Sequence, residues 1–213
     1  MTRIGVLGSA TVGQTLAGGL KKHGYDVRIA SRTPAKLAEF SKKSAVQAGT
    51  FAEVAAWAEG LVLAVKGSAA EAALRDAGSA NLRGKLVIDT TNPISDEPPE
   101  DGVVRFFTSP NESLMERLQK AFPDARLVKA FNSVGNTLMV NPSFPTKPTM
   151  FFCGNDAKAK ADTTRIIEQF GWEPADMGTA TAARAIEPLC QLWCIPGFRE
   201  NEWANHAFHL LRR

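Results

Sequence analysis

Gly8-Ser9-Ala10-Thr11-Val12-Gly13 stands between an apolar run, Arg3-Ile-Gly-Val-Leu7, and a stretch in which Val12, Leu16 and Leu20 recur at helical spacing. A strand entering a helix through a glycine turn leaves the first helical N–H groups unpaired and pointing outward, a cradle for a pyrophosphate. In that role Gly8 permits the sharp turn and Gly13 lets the helix approach the sheet. Ser9, Thr11 and Val12 fill the remaining positions. Ala10 stands where the middle glycine of G-x-G-x-x-G usually does, placing one extra methyl beside the phosphate. Glycine pairs after strands also serve packing alone, so it is the strand–turn–helix context that favours a dinucleotide.

The second informative position closes the next apolar run, Val27 to Ala30. Folds that select NAD place a carboxylate there for the ribose 2′-hydroxyl. Here the chain reads Ser31-Arg32-Thr33. A guanidinium and a hydroxyl suit a 2′-phosphate, which a carboxylate would repel, so NADP(H) is expected over NAD(H). The plainer alternative leaves Arg32 as a solvated surface residue.

Ligands of such sheets bind outside the carboxyl ends of the strands. Val65-Lys66-Gly67, Thr90-Thr91-Asn92-Pro93 and Phe131-Asn132-Ser133-Val134-Gly135 should meet there. Val65, Lys66, Asn92 and Pro93 complete the expected cofactor-binding set, and the Asn92-Pro93 peptide is a candidate for the cis form. Asn92, Asn132 and Ser133 are expected to orient a carboxamide or ring carbonyl, and Asn92 and Asn132 read equally well as turn and cap residues. No acid–base pair stands out. Hydride transfer requires none, because the cofactor carries the chemistry and the protein aligns two rings. Lys66 reads as an anion contact or as a solvated lysine, and Glu187 has no assigned role.

These residues need a scaffold. Val27–Ala30, Leu61–Val65 and Lys85–Asp89 are strand-like, and the last two are continuous apolar runs, as in a parallel sheet covered on both faces. Helical stretches alternate with them: a helix from Thr33-Pro34 to Lys43, a short one capped by Thr50 and Glu53, and a crossover from Ser68 to Ala77. Ser109 and Glu112 have capping-box spacing for a helix ending near Phe122. Leu127–Phe131 and Thr149–Cys153 read as strands, Asp156–Phe170 as a helix stopped by Gly171, and Thr181–Trp193 as a helix that Pro188 kinks or breaks. The fold class is therefore α/β, a doubly wound parallel-sheet Rossmann fold. Residues 1–147 make the dinucleotide-binding domain, and residues 148–213 a small C-terminal subdomain packed on it, carrying the acceptor site and a dimer contact.

Composition removes other classes. The chain has 213 residues and a net charge of +3, too mild for a nucleic-acid or membrane-surface partner, and no apolar run long enough to span a bilayer. Three cysteines and no cationic, apolar leader after Met1 suggest reduced thiols in a cytoplasmic protein. Cys190 and Cys194 share a helix face without a zinc-like partner set, so no metal is expected; they read as core or interface residues. His206 and His209, among Trp203, Phe208, Leu210 and Leu211, read as packing or dimer-contact residues rather than catalytic ones.

Taken together, the glycine turn, Ser31-Arg32, Asn92-Pro93, Lys129-Ala-Phe-Asn-Ser-Val134 and Phe152-Cys-Gly-Asn-Asp156 resemble the NADP-dependent oxidoreductases that use the deazaflavin coenzyme F420. The similarity extends to Gly171-Trp172, Asp176-Met-Gly178 and Ala185-Ile-Glu-Pro-Leu189, and the cytoplasmic reductase domain of eukaryotic metalloreductases shares it. The resemblance implies hydride transfer between NADP(H) and a flavin-like ring in a soluble, dimeric protein, with Ser9, Ser31 and Arg32 at the 2′-phosphate end. Ala10 departs from the glycine of many relatives. The expected partners are thus a small-molecule electron acceptor (F420 or a flavin) and a second copy, joined through Trp193, Phe198 and Trp203. Two other readings stay open: an NADPH-binding redox sensor without turnover, and an NADP-dependent dehydrogenase of a small carbonyl or imine.

Overall fold

The computed structural model describes residues 1–213. Its first half is strand–helix alternation. β1 (Arg3–Leu7), α1 (Thr11–Lys22), β2 (Asp26–Ala30), α2 (Ala38–Ser44), β3 (Gln47–Gly49), α3 (Phe51–Trp57) and β4 (Gly60–Leu63) follow in order. The crossover α4 (Ala70–Ala77) and the single turn α5 (Ser79–Leu82) lead to β5 (Leu86–Asp89). The second half contributes α6 (Leu114–Ala121), β6 (Arg126–Lys129), β7 (Thr149–Gly154), α7 (Ala157–Gln169), β8 (Glu173–Asp176), α8 (Ala183–Ile186) and α9 (Leu189–Glu200).

All eight strands join one sheet in the order β3-β2-β1-β4-β5-β6-β7-β8. Neighbours run parallel except at β6–β7, which is antiparallel. The order reverses between β1 and β4, and that switch point opens a crevice at the strand carboxyl ends. The apolar runs of β4 and β5 are buried throughout because helices cover both faces. On one face Ile4, Val6, Val62 and Ile88 pack with Leu16 and Leu20 of α1 and Ile166 and Ile167 of α7. On the other, Leu7, Leu61, Leu63 and Val87 meet Val54, Leu74 and Leu118. Each such large side chain, fully buried, contributes about 1.5–3 kcal/mol.

Several local expectations change. Thr33 does not cap a helix with its side chain; its amide goes to Ser31 Oγ, and Pro34–Leu37 forms a 3-10 turn before α2 begins. The capping box of α6 is Ser113–Glu116, not Ser109–Glu112, which forms only a backbone turn. Only the later register turns Leu114, Met115 and Leu118 inward. The crossover starts with a 3-10 turn at Gly67–Ala69. β6 stops at Lys129, because Phe131 takes a left-handed conformation (φ 60°) and turns the chain. The segment near Thr181 is a 3-10 turn followed by α8, and Pro188, lacking an N–H, starts α9 rather than kinking a single helix. α9 itself runs on to Glu200. No peptide bond is cis, so Asn92-Pro93 is trans, the form that X–Pro bonds prefer where no tight turn demands otherwise. The Thr50–Glu53 capping box, and the Asp156 cap and Gly171 stop of α7, form as read.

Candidate functional site

A cavity of about 590 Å³ lies at the carboxyl ends of β1, β2 and β4. The turn Gly8-Ser9-Ala10 forms its floor, Ser31, Arg32, Thr33 and Lys36 one wall, and Val65, Lys66, Ala69, Ala72, Ala73 and Asp76 the other. Gly8 adopts φ +138°, and a Cβ there would fall 2.1 Å from the Ala64 carbonyl oxygen. A Cβ on Gly13 would fall equally close to the Gly8 carbonyl oxygen, so α1 starts hard against the turn. Thr11, Val12 and Gly13 form the first turn of that helix. No side chain caps it and no acidic residue stands in its first turn, which leaves its N–H groups and positive dipole end for an anion.

The cavity is cationic at the β2 end. Ser31 is buried, and its oxygen accepts from Thr33 N at 3.1 Å, leaving its O–H free to donate. Arg32 and Lys36 are exposed and form no ion pair within the chain. Lys36 was missed in the sequence, where nothing local marks it as lining the same cavity as Arg32; it sits in the 3-10 turn Pro34–Leu37. Asp76, on α4, lines the opposite wall beside Ala72 and Ala73. Phe51, the first residue of α3, also reaches the cavity. Lys66 lines the cavity rim and pairs with Asp96.

Asn92, Pro93, Asn132 and Ser133 lie outside this cavity, at the ends of β5 and β6. Asn92 Nδ2 donates to the Asn132 carbonyl at 2.7 Å, and Asn132 Nδ2 donates to Asn92 Oδ1 and to the Ile186 carbonyl, both at 3.0 Å. The two amides therefore engage each other. Asn132 and Ser133 are buried, and Asn92 is half-buried with one N–H still free. A Cβ on Gly135 would collide with Trp193, so α9 packs directly over this strand end.

Beneath the strand ends lies a charge cluster that sequence reading did not assemble. Lys129 is completely buried, with Nζ 2.7 Å from Asp89 Oδ2, 2.9 Å from Glu187 Oε1 and 2.7 Å from the Thr91 carbonyl. Glu187 also accepts from the amides of Leu114 and Met115, capping α6 from a distant part of the chain. Burial opposes the lysine's charge, but Asp89 and Glu187 outweigh it and hold its pKa above the ordinary value. The available signal was a charged residue ending each of two apolar strands, Leu86-Val-Ile-Asp89 and Leu127-Val-Lys129. Burial on both faces obliges such charges to pair. Nearby, burial pushes the Cys153 thiol up to about 12, which makes it a core residue and a poor nucleophile. Cys190 and Cys194 lie 3.9 Å apart along α9 as free thiols. His206 stacks on Trp193 and engages its carbonyl. His23 is the C-cap of α1.

No group of His, Cys, Asp and Glu side chains is arranged to hold a metal ion, and no helix is long and apolar enough to cross a membrane.

Residues 3–93 match a family model described as NADP oxidoreductase, coenzyme F420-dependent. A crystal structure provisionally named an F420-dependent NADP-reductase, from Arthrobacter sp. FB24, superposes with a TM-score of 0.92 at 35% identity, over the whole of both chains. Metalloreductase STEAP3 of Rattus norvegicus is 28% identical over 199 residues, 91% of this chain. The chain spans 38% of that relative's length. The F420-dependent NADP reductase of Methanocaldococcus jannaschii is 28% identical over 116 residues, covering 52% of this chain and 50% of that one.

Proposed function

This chain belongs to the family of coenzyme F420-dependent NADP oxidoreductases, and from that membership we propose that it passes hydride between NADP(H) and a deazaflavin or flavin-like ring. The observation that carries the reading is the wall of Ser31, Arg32, Thr33 and Lys36 facing the glycine turn across one cavity. The uncapped start of α1 fits a pyrophosphate, and the unpaired guanidinium and ammonium at the end of β2 fit the 2′-phosphate of NADP(H). Ser9, which lines the same cavity, would serve the same end of the cofactor.

Bound NADPH supplies the hydride, and the chain supplies position. Residues at the ends of β1 and β2 would hold the pyrophosphate and the 2′-phosphate, and residues at the ends of β4 and β5 would hold the nicotinamide half. Val65 and Lys66, which line the cavity, and Asn92 and Pro93 beyond it would hold that half, and the remaining Asn92 N–H would be available to a carboxamide. Asn132 acts by holding Asn92, while Ser133, buried beside it, is a further candidate at the same strand end.

The acceptor would be held near the β5 and β6 ends by the segment 148–213, whose Trp193 packs against Gly135. Phe198 and Trp203, exposed near the end of the chain, suit contact with a second copy, and three free thiols suit the cytoplasm. Sedimentation at micromolar concentration tests the dimer; a monomer there rules it out.

Titration calorimetry with NADPH and NADH, followed by NADPH oxidation against F420, FMN, FAD, ferric chelates and quinones, tests the function. Tight NADPH binding, weaker NADH binding and turnover on F420 or a flavin are expected. Binding without turnover on any acceptor leaves a sensor in place of the enzyme.

A further inference from the structure

We propose that Lys129, together with Asp89 and Glu187, is a positioning device that fixes the strand-end platform under the nicotinamide half of the cofactor. It sets hydride-transfer geometry without touching the reacting atoms. The proposal rests on the reading that NADP(H) occupies the crevice described above.

The residue before Asn92 is held from both sides. Lys129 Nζ donates to the Thr91 carbonyl at 2.7 Å, while Asp89 Oδ1 accepts from Thr91 N at 2.9 Å and from Thr91 Oγ1 at 2.7 Å. The next carbonyl, that of Asn92, stands against Gly67, where a Cβ would come within 1.9 Å of its oxygen. The height of the β5 loop is thereby set against the β4 loop, the stretch containing Val65 and Lys66. The Asn92 side chain is in turn tied to β6 through Asn132. Glu187 anchors the far side of the cluster to the first turn of α6. Lys129 therefore links β5, β6, α6 and the α8–α9 junction at one point directly beneath the proposed ring site.

Stability alone does not call for such a cluster. Asp89 and Lys129 are 0% exposed and Glu187 is 1% exposed, so three charges are removed from water. Apolar side chains of the same volume generally serve a core as well or better. What apolar side chains cannot do is hold the Thr91 carbonyl in one place. Geometry matters to the proposed reaction, because displacing reacting atoms by about 1 Å can cost a hundredfold in rate.

Lys129→Met alone strands two buried carboxylates and endangers folding. The neutral triple variant Asp89→Asn/Lys129→Met/Glu187→Gln keeps an oxygen acceptor for Thr91 N and for one of the two α6 amides, Leu114 N or Met115 N, and removes the bond from Nζ to Thr91. Two probes separate the halves of the site: 2′,5′-ADP fills only the adenosine half, and NADPH fills both, its ring environment reported by nicotinamide fluorescence. For the triple variant, 2′,5′-ADP affinity is expected to match the parent, the bound-state nicotinamide fluorescence to shift towards that of free NADPH, and kcat on F420 or FMN to fall about a hundredfold with KM little changed. Parental fluorescence and kcat in the variant overturn the proposal. So does equal weakening of 2′,5′-ADP and NADPH, which indicates a generally loosened fold, and so does failure of the neutral variant to fold, which assigns the cluster to stability. A parent that binds neither probe removes the functional reading and the proposal with it; a parent that binds both leaves that reading intact whatever the variant does.

Discussion

Asn92 and Asn132, at the ends of adjacent strands, hold each other through reciprocal hydrogen bonds of 2.7 and 3.0 Å. The two members are not equivalent. Asn132 is 3% exposed and also donates to the Ile186 carbonyl, whereas Asn92 is half-buried and retains a free N–H. Asn132→Ala leaves buried acceptors without a donor and should cost about 1–3 kcal/mol; Asn92→Ala should cost less, since water reaches its site. Urea denaturation measures both, and a larger loss for Asn92→Ala contradicts the assignment.

Arg32 and Lys36 stand on one wall without a carboxylate partner. Arg32→Ala should weaken NADPH binding by about 1.5–3 kcal/mol, one to two decades, and leave NADH binding nearly unchanged. Lys36→Ala should cost less, because an exposed ammonium makes a point-charge contact that salt screens. Calorimetry at low and high ionic strength provides the comparison. Equal losses for NADPH and NADH on Arg32→Ala would place that side chain away from the phosphate.

The strand alternation, the glycine turn and the Ser31-Arg32 ending of β2 were legible in the sequence because each depends on local spacing. The capping box of α6 was not. Ser109-x-x-Glu112 and Ser113-x-x-Glu116 carry the same local signal, and the choice between them comes from the sheet that Leu114 and Leu118 must face and from Glu187, 73 residues away, capping the same turn. Lys36 joined the cavity through a 3-10 turn that helix propensity does not distinguish from α-helix. The Asp89–Lys129–Glu187 cluster needed the β5–β6 register, which pairs Asp89 with Lys129 directly. Long-range pairing of this kind leaves only one trace in a sequence, a charge where an apolar residue should be.

Arg184 grips Glu116 through both Nε and Nη2, and Glu116 simultaneously closes the capping box of α6. Hydrogen bonds from Arg184 lower the Glu116 pKa from 4.5 to about 2. A carboxylate whose pKa is depressed by folding stabilises the protein at pH values above its unfolded pKa. That contribution is lost as pH falls from about 4.5 towards 2. Screening of this half-exposed pair reduces it to about 1 kcal/mol. Glu116→Gln should therefore lower the urea midpoint at neutral pH and shrink the parent–variant difference near pH 2. A difference independent of pH removes the ion pair from the account.

Two glycines, Gly67 and Gly18, should respond to alanine in opposite directions. Gly67 has no positive φ, so its constraint is purely steric: a Cβ would lie 1.9 Å from the Asn92 carbonyl oxygen and 2.8 Å from its carbon. Both are backbone atoms and cannot rotate away, so Gly67→Ala must part the β4 and β5 loops, at about 1–3 kcal/mol. Gly18 lies within α1, and a Cβ there meets nothing within 4 Å. Gly18→Ala lowers the entropy of the unfolded chain and favours the helix, raising stability by about 0.5–1 kcal/mol. Gly19, one residue on, is no substitute, since its Cβ would strike Val140 at 2.5 Å. Thermal unfolding of the two variants should move the midpoint down for Gly67→Ala and up for Gly18→Ala. Because Gly67 touches the carbonyl of Asn92, its variant should also slow hydride transfer while leaving 2′,5′-ADP binding intact. A Gly67→Ala protein as stable and active as the parent would mean that the two strand-end loops are not in contact.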